Sequence, residues 1–207
     1  MLFKFLDITR GNTASAQRRG FGLVELMVSI SIMTLVSTII LVKNRSFNNA
    51  LLLRNQAYEV AFSLRQVQLL AVSGTKENAT DSNQYGIYFD VSSATTNSKY
   101  RTFRDDSNSG SNKGWYESGD TSLGTIGSLD NRFAITDIVD SAGASLTGDL
   151  LSVTFIRPNF DALFKTAVGN SFSGPVYLKI TPKDMSGYAT VPFRLVEITS
   201  TGQISVK

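Results

Sequence analysis

The run FGLVELMVSISIMTLVSTIILV, residues 21–42, is the feature that most constrains this chain. Its 22 residues carry a single charge, Glu25. At about 1.5 Å of rise per residue, a helix over this run covers roughly 33 Å, close to the thickness of a bilayer's hydrocarbon core. Such a run is too long for the core helix of a small domain, and it has no gap for a turn. Lys43 and Arg45 close it on one side, Arg18 and Arg19 on the other. Lys4 and Arg10 add to the N-terminal positive charge. The positive-inside rule then keeps the short N-terminus cytoplasmic and sends the large C-terminal part across the membrane.

The charge balance supports treating the first twenty residues apart from the rest. The chain has 20 Lys and Arg against 17 Asp and Glu. Four of the bases and one acid, Asp7, precede Phe21, so 16 of each sign remain beyond it. The body therefore has no bulk electrostatic reason to bind nucleic acid. Cysteine and histidine are both absent from the sequence. That excludes disulfides, thiolate or imidazole metal sites, cysteine nucleophiles and histidine general bases. No P-loop, nucleophile elbow or dinucleotide fingerprint is present. The expectation is a protein that is not an enzyme, with no cofactor and no metal.

Glu25 needs a reason. An ionised carboxylate in hydrocarbon costs about 3 kcal/mol even on a lenient scale, and such residues persist where a partner satisfies them. The bland reading is that Glu25 lies near the cytoplasmic end and reaches the headgroups. The surrounding residues offer a sharper one. Arg18-Arg19-Gly20-Phe21-Gly22-Leu23-Val24-Glu25 resembles the processing site of type IV pilins and type II secretion pseudopilins. The shared features are basic residues, a glycine, a phenylalanine heading an apolar stretch, and a glutamate four residues later.

The resemblance implies cleavage between Gly20 and Phe21 by a prepilin peptidase, then N-methylation of Phe21. It also implies that Glu25 pairs with the terminal amine of Phe21 in a neighbouring subunit, neutralising both charges and helping to set axial register. The implied partners are the peptidase, other pilins or pseudopilins in a helical filament, an inner-membrane assembly platform, and the lipid bilayer before assembly. The implied location is a single pass in the cytoplasmic (inner) membrane, N-terminus inside, followed by a pilus or pseudopilus.

Beyond the apolar run the helical pattern continues. No proline occurs before Pro158, and Leu53, Ala57, Val60, Leu64, Val67 and Ala71 recur at alternating spacings of four and three. That is one face of a helix, expected to be the seam for a globular domain. Arg54, Glu59, Arg65 and Gln66 lie off it, and Gly74 is a plausible stop. A helix over 21–73 would be roughly 80 Å long.

After Gly74 the chain reads as strands in polar connections. Tyr85, Ile87, Phe89 and Val91 alternate with smaller or polar residues. Residues 100–103 suggest a second strand, and Phe133, Ile135, Ile138 and Val139 a third. A stronger one covers 150–156. Three more cover 176–181, 189–199 and 203–206, joined through Ser186-Gly187 and Thr201-Gly202 as an antiparallel meander. The expected fold class is α+β. A leader occupies 1–20, a transmembrane or filament-core helix 21–42, its amphipathic continuation 43–74, and an extracytoplasmic β-rich domain 75–207.

This layout is similar to the minor pilins and pseudopilins that include the H-type subunit of type II secretion. Residues 57–71 on the late helix and the 196–206 hairpin carry that likeness. Major pilins usually have a C-terminal disulfide region, which this chain cannot form, and many have a proline near the end of the apolar run, where Val42 and Lys43 stand. Major pseudopilins carry an acidic calcium loop near the C-terminus, whereas this tail has only Glu197.

The reading is a minor structural subunit of a type IV pilus or type II secretion pseudopilus. Its alternatives are a DNA-uptake minor pilin, a signal-anchored extracytoplasmic protein that keeps its first twenty residues, and a twin-arginine export substrate read from Arg18-Arg19. An ordinary secretory signal and a twin-arginine signal both need a cleavage site after Val42, and KNRSFNNALLLRN offers none. Asp106, Asn108, Gly110 and Asn112 loosely resemble a calcium loop without its terminal bidentate acid. Arg101 and Arg104 flank Phe103, with Trp115-Tyr116 close behind, an arrangement that could grip single-stranded DNA, although the tail offers only Lys207 as a basic residue. Calcium and nucleic acid are the lesser readings of these residues; solvated loop and surface are expected instead.

Overall fold

The computed structural model describes residues 22–73, 84–106, 112–124, 126–146, 148–156, 159–167, 170–186, 188 and 190–207, with backbone alone at 42–47. The expected helix stop at Gly74 and the turn residue Gly187 lie outside these residues. The chain divides into two compact units, Met1–Arg45 and Ser46–Lys207. One helix, α1 (Leu23–Ser73), crosses that division.

In the first unit the described residues are those of α1. The sequence there has nothing to interrupt a helix, since neither glycine nor proline occurs between Gly22 and Gly74. Four of its hydroxyls bond the helix itself. Ser29 donates to the Glu25 carbonyl at 2.7 Å, Ser31 to Met27 at 2.8 Å, Thr34 to Ile30 at 3.0 Å and Thr38 to Thr34 at 2.8 Å. A hydroxyl that bonds its own i−4 carbonyl can face an environment without water.

The second unit is built on α1 residues 46–73 and two antiparallel sheets. Its strands are β1 (Gln84–Asp90), β2 (Lys99–Asp105), β3 (Thr121–Ser122), β4 (Gly127–Ser128), β5 (Phe133–Val139), β6 (Leu150–Phe155), β7 (Ala162–Ala167), β8 (Asn170–Phe172), β9 (Val176–Pro182), β10 (Arg194–Ile198) and β11 (Ile204–Val206). The larger sheet runs β3-β2-β1-β6-β7-β8, with β4 also on β2; the smaller runs β11-β10-β9-β5. The fold class is α+β, as expected.

The helical seam is buried residue by residue. Leu53, Ala57, Val60, Leu64, Val67 and Ala71 are each at most 2% exposed. They join one core with Ile87, Phe89, Leu151, Val153, Phe155 and Phe164 of the large sheet and Ile135, Leu178, Ile180, Val196 and Ile198 of the small one. Polar contacts fix the helix over both sheets. Ser63 and Tyr100 share a 2.8 Å hydrogen bond, Gln56 Oε1 accepts Asp130 N at 2.7 Å, and Arg65 donates to the Ile204 carbonyl at 3.0 Å. Gln68 donates to the Gly202 carbonyl at 2.8 Å and to that of Phe160 at 3.3 Å.

The β9-β10-β11 meander forms as expected, although β10 covers only Arg194–Ile198 rather than 189–199. Proline has no N–H for a ladder, and Pro192 stands just before the strand. The uneven apolar spacing of β5 has a structural cause. Its register on β9 shifts between Ile135 and Asp137, so Ile135 and Ile138 both face the core across a bulge at Thr136. The pair β7-β8 was not expected, because Lys165, only 5% exposed, stands on the face of β7 opposite Phe164 and beside Ser152, and its charge makes the strand read as surface.

Candidate functional site: the exposed helix surface

Residues 22–41 are all exposed. They include Leu23 at 76%, Val24 at 72% and Met33 at 73%. Leu23–Leu41, 19 residues, is long and apolar enough to cross a membrane. A continuous apolar surface of this extent is unfavourable in water at about 25 cal/mol per Å2, so it needs lipid or protein around it. Glu25 stands in the first turn of α1, where a negative charge complements the helix dipole. Among the described residues its carboxylate has no hydrogen-bond or ion-pair partner. Arg18, Arg19, Gly20 and Phe21 lie outside the described residues, so only Glu25 of the expected site is given a position.

The exposed surface does not end with the first unit. On 46–73, Leu51, Tyr58, Phe62 and Leu69 are each at least 45% exposed. Their spacings of seven, four and seven put them within about 20° of one line at 100° per residue, on the face opposite the buried seam. Sequence reasoning missed this second stripe, although the spacing was there to be found. Arg54 sits over the Tyr58 ring at 5.5 Å and donates to its hydroxyl at 3.3 Å.

The candidate DNA-binding residues are differently disposed. Phe103 is fully buried and Trp115 is 9% exposed. They pack with Tyr88 and Tyr116 in an aromatic group, with centroids 5.3 Å apart for Phe103–Tyr116, 5.7 Å for Tyr88–Trp115 and 5.0 Å for Tyr88–Tyr116. Neither Phe103 nor Trp115 offers a face for a base. Arg104 is bound to Asp106 at 2.8 Å, and Lys207 to Glu197 at 2.9 Å.

Two carboxylates, Asp106 and Asp120, tie the end of β2 to residues 117–121. Asp106 accepts from Thr121 N at 3.0 Å and Thr121 Oγ1 at 2.6 Å. Asp120 accepts from Asp106 N at 3.2 Å and Glu117 N at 2.7 Å. Desolvation pushes the Asp106 carboxyl up, but bonds from Thr121 and Arg104 outweigh it and hold the group below its ordinary value. Desolvation keeps Asp120 above its own. Asn108 and Gly110 of the loose calcium pattern lie outside the described residues. Among the described residues, no three carboxylates gather as a cation would require.

Comparison with curated proteins and with solved structures returns no match. The prokaryotic N-terminal methylation motif matches residues 15–41. That span contains Glu25 and most of the exposed apolar helix, and the motif together with that helix fits a type IV pilin-like protein.

Proposed function

We propose that this chain is a minor structural subunit of a type IV pilus or a type II secretion pseudopilus, similar to the H-type pseudopilins. A prepilin peptidase cuts between Gly20 and Phe21 and the new amine on Phe21 is methylated, with Arg18 and Arg19 holding the leader at the cytoplasmic face. The apolar helix keeps the subunit in the inner membrane, N-terminus inside, until an assembly platform transfers it to the filament. There its apolar surface exchanges lipid for the helices of neighbouring subunits. The outer stripe of Leu51, Tyr58, Phe62 and Leu69 extends that surface along the second part of α1. The β-rich domain, 75–207, stays extracytoplasmic.

The observation that carries this reading is a register. The methylation motif ends in an apolar helix whose one carboxylate, Glu25, lies in the first turn. In a filament Glu25 meets the Phe21 amine of a neighbour. Removing one member of a desolvated charge pair costs about 3–5 kcal/mol. Glu25→Ala should therefore still be cleaved and yet enter filaments at least about a hundredfold less. Incorporation at the normal level would end the pairing argument.

Processing is tested by intact and N-terminal peptide mass spectrometry on the protein from its native membrane. The expected mature chain begins at methylated Phe21. A chain that retains residues 1–20 in a cell with active peptidase would be a plain signal anchor.

A further inference from the structure

The large sheet carries a cleft of about 260 Å3 at the β1–β2 turn. Tyr88, Asp90, Thr96, Lys99 and Arg101 contribute to its lining. Tyr88 and Arg101 are direct cross-strand partners. The Tyr88 ring is held by Trp115 and Tyr116, so it loses little freedom on binding.

The turn itself is already ordered. Thr96 N and Asn97 N donate to the Ser93 carbonyl at 3.1 and 2.9 Å, and Lys99 N donates to that of Thr96 at 2.8 Å. Asp90 Oδ1 accepts from Ser92 N at 3.0 Å and Ser92 Oγ at 2.6 Å.

What remains unused has a definite chemistry. Asp90 Oδ2 accepts no hydrogen bond among the described residues. Neither Lys99 nor Arg101 makes a side-chain hydrogen bond or ion pair there, although Asp90 lines the same cleft. Thr96 Oγ1 gives its proton to the Ser93 carbonyl and keeps its lone pairs. The cleft thus presents two cationic donors, one free carboxylate oxygen and a hydroxyl acceptor beside a fixed ring. Two positive charges against one negative suit a ligand with one negative charge. The acceptors call for ligand hydroxyls, and the guanidinium suits a carboxylate, which it can grip through two parallel bonds. The volume falls just below the usual range of about 300–1,000 Å3 for drug-sized ligands, so a single ring is the right scale.

We propose that this cleft binds an acidic saccharide, one hexuronate unit of a polysaccharide. Arg101 and Lys99 take its carboxylate, Asp90 and Thr96 accept from its hydroxyls, and Tyr88 lies beside its ring. A nucleic acid would bring several phosphates toward Asp90, with Phe103 and Trp115 both withdrawn from stacking.

The test uses the full chain in detergent micelles, with binding read by calorimetry. The probes are a galacturonate trisaccharide, the neutral galactose trisaccharide, inorganic sulfate and a short oligothymidylate. The uronate should bind at least about tenfold more tightly than the neutral sugar, and Arg101→Gln should remove about tenfold of that affinity. Asp90→Asn should weaken the uronate while strengthening sulfate, because it removes an acceptor and a negative charge together. Lys99 and Arg101 are exposed, so Arg101→Gln should leave thermal unfolding unchanged. No uronate binding, equal binding of the neutral sugar, sulfate as tight as uronate, tighter oligothymidylate, or an Arg101→Gln variant with full affinity would each overturn the proposal.

Discussion

The two parts of α1 are the same secondary structure solving opposite problems. In 46–73 the apolar residues recur every three or four positions, and the chain's own sheets bury them. In 23–41 they run round the whole helix, and nothing in the described chain covers them. A stripe can be satisfied from within a domain; an all-round apolar surface must be satisfied by lipid or by other chains. The outer stripe of Leu51, Tyr58, Phe62 and Leu69 carries part of the second problem into the first solution, because that segment is apolar on two opposite faces.

Stability measurements can break this comparison, and the largest contrast is expected at the seam. Leu64 is fully buried, so Leu64→Ala should cost about 2–5 kcal/mol through lost burial and a residual cavity. Leu35, 62% exposed, has the same side chain, and Leu35→Ala should change the unfolding of the β-rich domain by less than about 0.5 kcal/mol. Denaturant unfolding of the two variants in the same detergent decides it. Equal losses would mean that the two parts are not distinguished by burial.

Glycines give the next contrast. Gly202 has φ +76°, and a Cβ there would collide with the carbonyl oxygen of Phe160, in the contact that Gln68 also grips. Gly202→Ala should cost about 2–3 kcal/mol in thermal unfolding from backbone strain and displacement of the Phe160 segment. Gly22 has nothing within 4 Å, and Gly22→Ala should leave folding unchanged.

Much of this was legible in the sequence because it rests on period. The seam from Leu53 to Ala71 was readable at every position, since only a helix puts spacings of four and three on one face. The strands β1, β6 and β9 were readable from alternation. What escaped notice depended on tertiary partners. Lys165 is buried on the face of β7 opposite Phe164 and makes that strand resemble surface. The two-residue strands β3 and β4 exist only because β2 offers an edge. Gly127 lies on that edge beneath the Tyr100 ring, where a Cβ has no room, a requirement no local pattern announces. For the candidate site, the motif around Glu25 was legible as a string, whereas the outer stripe is sparse, its members seven, four and seven positions apart among polar residues, and reads as scattered surface.

A smaller effect on folding sharpens the comparison within the second part of α1. Phe62 is 61% exposed, so Phe62→Glu should move stability by less than about 0.5 kcal/mol. If the outer stripe packs on neighbouring subunits, the same variant should fall out of sheared filaments while remaining folded in the membrane. Unchanged incorporation would restrict the assembly surface to the first part of the helix.

The smallest effect concerns acid. The Arg132 side chain and then its backbone N–H donate to Asp130, holding that carboxyl down from 3.8 to about 2. A lowered folded-state value means the contribution is complete above pH 3.8 and fades as pH falls through about 2. The pair is solvent-exposed, so its contribution is slight. Carboxyl NMR should show the depressed titration at Asp130, and Arg132→Gln should raise it toward the ordinary range, the backbone N–H at 132 keeping it partly lowered. A normal titration in the unaltered protein would contradict the pairing.

The central claim is that the uncovered apolar helix finds its partner in other subunits, and photo-crosslinking in cells tests it most directly. A photoreactive residue in place of Met33, 73% exposed, should capture another pilin-like subunit when peptidase and filament assembly are active, and lipid alone when assembly is blocked. Capture of lipid alone under both conditions would mean that the helix is a membrane anchor and nothing more.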